Sequence, residues 1–339
     1  MSDERALLVA AGGGIGDTLL ATVVARALRT QYAAVDALVL PAHRALAERI
    51  PDIARVIDFS GSPRTLARHL APAHYRAAIV TWATAQTAQV PWFARIPIRV
   101  GQAHRLYSCA FTQRVVVKSE RGDRLTHWTQ ILLDYARAIG CEATDAQPRF
   151  VPNDSDEGEA SALLRVHDIA GPFAILHPTR GLSAQRSRWP LEGFIALARA
   201  LEERLNLPLL VSGARGDAAI ADAIAAASGQ RTISVAGATT IGTFGALARR
   251  AAFVVAMDSG PMHVAAASGA PTVGIFALQS DEPDRWAPLG ANAAVVRASY
   301  PCPTGHRKET CPDFACVRAL AVPEIVAAVE RVYARAATG

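Results

Sequence analysis

Along the chain, hydrophobic and polar positions alternate between two patterns. Short uninterrupted apolar runs bounded by Gly, Pro, Asp or Ser predict buried strands. Longer stretches with apolar residues three and four apart predict helices. Ala6-Leu7-Leu8-Val9-Ala10 is the first run; the glycine turn Gly12 to Gly16 follows, and Leu19, Leu20, Val23, Ala27 and Leu28 then recur at helical spacing. Residues 37–40 (closed by Pro41), 55–58, 77–80 and 98–101 continue the strand series. Runs that are apolar throughout suit parallel strands with helices on both faces.

Residues 148–158, rich in Pro, Asn, Asp, Ser and Gly, interrupt the pattern, and the order then restarts. Residues 173–177, 208–213, 252–257 and 271–276 read as strands. Pro190 opens a helix carrying Phe194, Leu197 and Leu201 on one face, and a last helix spans roughly 323–337. At 339 residues the chain exceeds what one core usually serves. The expected architecture is α/β: two Rossmann-like parallel-sheet domains facing across a cleft. The boundary is drawn in the 148–158 break or slightly later, giving an N-terminal domain of 1–165 and a C-terminal domain of 166–339, whose last helix is free to pack back on the first. In open parallel sheets ligands sit beyond the carboxyl ends of the strands, so the residues just after each strand are where chemistry is sought.

Composition narrows the partners. About half the residues are apolar and the formal charge is +5, which suits an anionic ligand or an anionic membrane face. No stretch concentrates Lys and Arg with interleaved aromatics, so nucleic acid is not an expected partner. The N-terminus starts acidic and runs straight into an apolar strand, and no run approaches the roughly 20 apolar residues of a membrane-spanning helix. A cytoplasmic protein is expected. Five cysteines, an odd number, argue against a disulfide framework.

Four post-strand segments carry the candidate chemistry. Gly12-Gly13-Gly14-Ile15-Gly16-Asp17-Thr18 lacks the Gly-Lys-Ser/Thr of a P-loop, and Asp17 stands where a dinucleotide fingerprint needs its third glycine. A carboxylate there competes with phosphate for the helix N-terminus, so Asp17 reads either as a general base or as a helix cap. Its helix-end position is expected to depress its pKa. Asp258-Ser259-Gly260-Pro261-Met262-His263 follows the strongest strand, and its free amides suit a pyrophosphate. His177-Pro178-Thr179-Arg180 and Arg186-Ser187-Arg188-Trp189-Pro190 add three arginines able to neutralise a leaving diphosphate. Asp217, after the 208–213 strand, reads as an acceptor for ribose hydroxyls or as part of a plain surface turn. Cys302, Cys311 and Cys316, with His306 between them, lack the close Cys-x-x-Cys pairs usual for zinc, and no metal site is assigned.

Together these segments resemble glycosyltransferase family 9, the ADP-heptose:lipopolysaccharide heptosyltransferases, over nearly the whole chain. The most specific element is AMDSGPMHVAAASGAPTVG, residues 256–274, joined by GGGIGDTLLATVVARAL and by HPTR and RWP in the family's order. The resemblance implies a GT-B fold, inversion at the anomeric carbon, and no cofactor or metal requirement. It implies Asp17 as general base, Asp258, Ser259 and Gly260 on the donor phosphates, Thr179 on the diphosphate, and the segment Thr239, Thr240 and Ile241 beside the adenine. Pro261, Met262 and His263 complete the donor turn, with Arg180, Arg186, Arg188 and Asp217. Gly14, Gly16, Arg64, Arg68, Arg105 and Arg124 are assigned to the acceptor. Two departures stand out. Ser187 occupies the usual Lys position, leaving Arg186 or Arg188 to supply the charge, and Thr81-Trp82 replaces an acidic, Gln-containing strand end. The expected partners are an ADP-sugar donor and a lipid-linked or glycan acceptor such as lipopolysaccharide inner core, met at the cytoplasmic face of the inner membrane. A nucleotide-sugar epimerase or hydrolase on the same scaffold, and a non-catalytic nucleotide-sugar-binding protein, are the alternatives.

Overall fold

A computed structural model describes residues 2–179, 189–302 and 311–338. The chain divides into two units, Met1–Phe150 and Val151–Gly339. The sequence pattern drew the boundary after residue 165. The helix Asp154–Val166 instead falls in the second unit, where it packs against the helix Ile241–Arg250.

The first unit is built on a six-stranded sheet ordered β3-β2-β1-β4-β5-β6, all pairs parallel. The strands are β1 (Ser2–Ala10), β2 (Tyr32–Val39), β3 (Arg55–Asp58), β4 (Ala77–Val80), β5 (Ile98–Gln102) and β6 (Gln113–Val115). Leu8 lies opposite Ala37 on one side and Ile79 on the other. The run Ala6 to Ala10 is buried throughout, as expected of strands covered on both faces. The helix Ile15–Leu28 packs against β1, and the helix Trp128–Arg137 packs against that helix.

The second unit repeats the arrangement as β12-β11-β10-β7-β8-β9, again parallel throughout. Its strands are β7 (Ala174–His177), β8 (Leu209–Val211), β9 (Thr232–Ser234), β10 (Phe253–Met257), β11 (Thr272–Phe276) and β12 (Ala293–Arg297). The helix Val322–Thr338 packs against the helix Leu191–Leu205 and the β10, β11 and β12 strands. No helix among the described residues is long and apolar enough to cross a membrane.

Each sheet starts with its central strand, grows outward on one side, and then returns to add three strands on the other. The order therefore reverses between β1 and β4 in the first sheet and between β7 and β10 in the second. At such a reversal the connections leave the strand ends in opposite directions and open a crevice, which is where ligands bind in this architecture.

Buried polar groups tie each unit together. In the first, Asp36 on β2 is fully buried; Arg5 on β1 donates to it at 2.6 Å, Arg55 on β3 lies at 3.1 Å, and the Tyr75 hydroxyl donates to it. Burial and the Asp36 carboxylate push the Tyr75 pKa up to about 12, so the phenol stays a donor. In the second unit His177 ends β7, buried, with its ring 5.9 Å from that of Phe244. Its Nδ1 lies 3.0 Å from Ser212 Oγ and its Nε2 lies 3.2 Å from Thr179 Oγ1.

Burial pushes the His177 pKa from 6.5 down to about 4, against a smaller upward pull from Asp217. Between those two pH values the unfolded chain takes up a proton that the folded chain refuses. Stability contributed by this residue is thus full above pH 6.5 and is lost as pH falls towards 4, amounting to about 3 kcal/mol. Denaturant unfolding of the wild type and of His177→Gln at pH 7 and pH 4.5 is expected to show a shallower pH slope in the variant. Equal slopes would refute the assignment.

Candidate functional site

The loop after β1 lies at the first sheet's reversal point. Gly13 has φ +75°, and a Cβ there would come within 2.4 Å of Asp17 Oδ2, so both backbone and space demand glycine. Gly14 caps the helix Ile15–Leu28, and its N–H donates to Asp17 Oδ2 at 2.7 Å. The cap reading and the base reading of Asp17 therefore fall on different oxygens: Oδ2 closes the helix end, and among the described residues no hydrogen bond reaches Oδ1. The expected depression of the Asp17 pKa is corrected. Burial raises it, and the lowering by the Gly14 N–H is the smaller effect. The helix end is outweighed because the half-buried carboxylate loses more hydration than one backbone donor returns.

Thr18, buried beside it, places Oγ1 2.7 Å from His43 Nδ1. Burial lowers the His43 pKa, which favours the neutral ring. This pair fixes the loop from beneath. It left no sequence signal, because His43 belongs to a short turn far from the glycines.

The acceptor candidates scatter over connections that follow the strands. Gly14 is exposed and Gly16 half-buried at the helix start. Arg64 and Arg68 are exposed on the helix Pro63–Leu70, with the Arg64 guanidinium 4.7 Å above the Phe93 ring. Arg105, after β5, is ion-paired with Glu120, and Arg124 is exposed in the loop that precedes the helix Trp128–Arg137. Among these, only the two glycines belong to the Asp17 loop.

In the second unit the donor candidates converge more closely. Thr179, buried two residues beyond β7, donates to Asp217 Oδ2 at 3.2 Å, and the same oxygen accepts the Ala214 N–H at 3.1 Å. Asp217 is half-buried where the loop after β8 enters the helix Ala218–Ala227. Thr240 is exposed and caps the helix Ile241–Arg250 by accepting the Thr243 N–H at 3.1 Å, with Ile241 half-buried next to it. Ser212 and Phe244, which hold the His177 ring, were not singled out in the sequence. Their signal was their place just beyond β8 and inside the helix that packs there.

The turn after β10 sits at the second reversal point. The Asp258 N–H donates to Ile275 O at 3.0 Å, prolonging the ladder with β11. Ser259 is the cap residue of the helix Gly260–Ala267, but its hydroxyl donates to Met257 O at 2.9 Å and makes no capping bond to the helix end. Pro261 occupies the first turn and brings no N–H. First-turn amides without an intrahelical acceptor and the positive end of the dipole make this an anion-binding geometry. Met262 is fully buried, and a Cβ at Gly274 would meet its Sδ at 2.6 Å. Its side chain is core, so only its backbone can serve a ligand. His263 is likewise buried.

Arg180, Arg186, Ser187, Arg188 and His306 lie outside the described residues. Cys302 and Cys311 are half-buried free thiols and Cys316 is a buried one. Among the described residues, no three or more His, Cys, Asp or Glu side chains are grouped to hold a metal ion.

Residues 64–313 match the family model described as Glycosyltransferase family 9 (heptosyltransferase). The chain is 27% identical over 326 residues to lipopolysaccharide heptosyltransferase 2 of Escherichia coli K12, covering 91% of each protein. The solved structure of the E. coli ADP-heptose lps heptosyltransferase II superposes with a TM-score of 0.80 at 22% identity, over 98% of this chain and 99% of that one. A family 9 glycosyl transferase from Veillonella parvula superposes with a TM-score of 0.85 at 19% identity, over 99% and 98%. These likenesses in fold identify the two parallel sheets as a GT-B architecture. With its family motif spanning both units, the chain belongs to glycosyltransferase family 9, the heptosyltransferases.

Proposed function

We propose that this enzyme transfers a heptose from an ADP-sugar to a hydroxyl of lipopolysaccharide inner core, with inversion and without a metal, at the cytoplasmic face of the inner membrane. The observation that carries the reading is Asp17: a carboxylate at the first reversal point, oriented through one oxygen by Gly14 and raised in pKa by burial. The relatives support the choice of substrates, being named a lipopolysaccharide heptosyltransferase and an ADP-heptose lps heptosyltransferase.

In this mechanism the acceptor hydroxyl hydrogen-bonds Asp17 Oδ1. Its oxygen attacks the anomeric carbon from the face opposite the diphosphate, the C–O bond to phosphate breaks, and the proton passes to Asp17. A raised pKa strengthens Asp17 as a base. The departing ADP carries the new negative charge. The amide turn at residues 258–263, Thr179, and Arg180 with Arg186 or Arg188 stabilise it, in keeping with preorganised donors aimed at developing charge. Asp217 takes the ribose hydroxyls, and Thr240 with Ile241 borders the adenine.

Asp17→Asn is expected to lower kcat by about 10²- to 10⁴-fold, with ADP affinity kept in calorimetry. The acid limb of the wild-type kcat profile should lie above pH 3.8, the ordinary Asp value, and vanish in the variant. Near-normal turnover by a folded Asp17→Asn protein removes the residue from the chemistry. Gly13→Ala, which displaces the carboxylate without altering it, should reproduce much of the kcat loss. In the second unit, Thr179→Val should raise the KM for ADP-heptose about tenfold through one lost hydrogen bond. An unchanged KM would move the donor away from β7.

A further inference from the structure

The first sheet's reversal point has a second wall. β4 ends at Val80, the Thr81 N–H donates to Val9 O at 3.0 Å, and Trp82 then adopts φ +48°. A left-handed backbone costs a bulky residue roughly 1–2 kcal/mol, and such positions cluster at functional sites. Trp82 lies directly on the glycine loop: a Cβ at Gly12 would come within 2.4 Å of its carbonyl oxygen and 2.9 Å of its Cβ. Trp128 opens the helix Trp128–Arg137, and its ring stacks on Trp82 with centroids 4.7 Å apart and planes 26° apart. The Tyr107 hydroxyl donates to Ala83 O at 2.7 Å and fixes the next residue of the turn.

These indoles differ from a structural one in the same protein. Trp189 is 3% exposed, packs edge-on against Phe194, and donates its ring N–H to Leu320 O at 3.2 Å. Trp82 and Trp128 are half-buried residues that stack on each other instead. The strain at Trp82 and the close approach that requires Gly12 both fall on the loop that carries Asp17, and Trp128 joins it through the ring stack.

We propose that Trp82 and Trp128 form a stacking platform that binds a sugar ring of the acceptor beside the loop that carries Asp17. The inference rests on the glycosyl-transfer reading above and adds the means of acceptor recognition. A pyranose ring shows an apolar face of C–H groups carrying partial positive charge, and an indole face is apolar and electron-rich. Stacking thus orients a sugar ring without a charged partner.

The test uses Trp82→Asn, since Asn tolerates the left-handed backbone, together with Trp128→Leu and the conservative Trp128→Phe. ADP-heptose is the donor and lipopolysaccharide from a heptose-deficient strain is the acceptor probe. The acceptor KM is expected to rise about tenfold in Trp82→Asn and Trp128→Leu, with most of the loss recovered in Trp128→Phe. The kcat at saturating acceptor should stay within about twofold, and ADP affinity by calorimetry should hold, because the ring stack acts in binding alone. Unchanged acceptor KM in folded variants overturns the platform while leaving the transfer reading intact. A rise in acceptor KM accompanied by loss of ADP affinity and of melting temperature, which Trp128→Phe does not relieve, assigns the pair to structure and also overturns it. Wild-type protein that neither binds ADP nor turns over ADP-heptose overturns the transfer reading, and the platform with it. Should the variants fail to fold, wild-type tryptophan emission titrated with the core oligosaccharide decides: a saturable shift supports the platform, and its absence refutes it.

Discussion

A parallel sheet covered by helices on both faces has no room for polar groups along most of its length. Their hydration would be lost, and the ladder already uses the backbone donors and acceptors. Polar chemistry is therefore driven to the strand ends, and in both sheets it collects where the strand order reverses. Asp17 and Trp82 follow the two strands flanking the first reversal; Thr179 and the Asp258 turn follow those flanking the second. The two halves obey one geometric rule and fill it with different chemistry, a carboxylate on a glycine loop in one and a helix start rich in backbone amides in the other.

Desolvation then sets the charge state of what collects there. It raises the pKa of Asp17 and lowers those of His43 and His177. Each shift favours the neutral form. The two rings meet Thr18, Thr179 and Ser212 as hydrogen-bonding groups whose charging is disfavoured, and the carboxylate gains basicity.

The alternation of apolar runs and helical spacing made the fold class legible, since fully buried strands leave an unbroken apolar signature. β6 and β9 escaped because Gln-Arg-Val and Thr-Ile-Ser hold one aliphatic residue each, whereas the equally short Leu-Leu-Val of β8 is apolar throughout, and β12 because its Ala-Ala-Val-Val-Arg is half-exposed at a sheet edge. The first half of β2 escaped because Asp36 interrupts its apolar stretch, a break that only the flanking arginines and Tyr75 explain. At the sites, residues announced by glycine, proline or a strand end were readable. What tertiary packing alone brings together was not: the His43 bond to Thr18, the Ser212 and Phe244 cage, and the stack of Trp128 on Trp82, 46 positions apart in the chain. The same gap explains Met262, whose motif position suggested a ligand contact although its side chain belongs to the core.

The Asp36 cluster joins three neighbouring strands, with Arg5 near the amino end of β1 and Arg55 opening β3. Its anchorage is set back from the carboxyl edge that bears the glycine loop and the indoles. Dismantling it would strand a buried charge, at a cost of about 3–5 kcal/mol, whereas altering the opposite rim leaves it untouched. Such a division of labour lets the rim loops change without renegotiating the sheet that holds them.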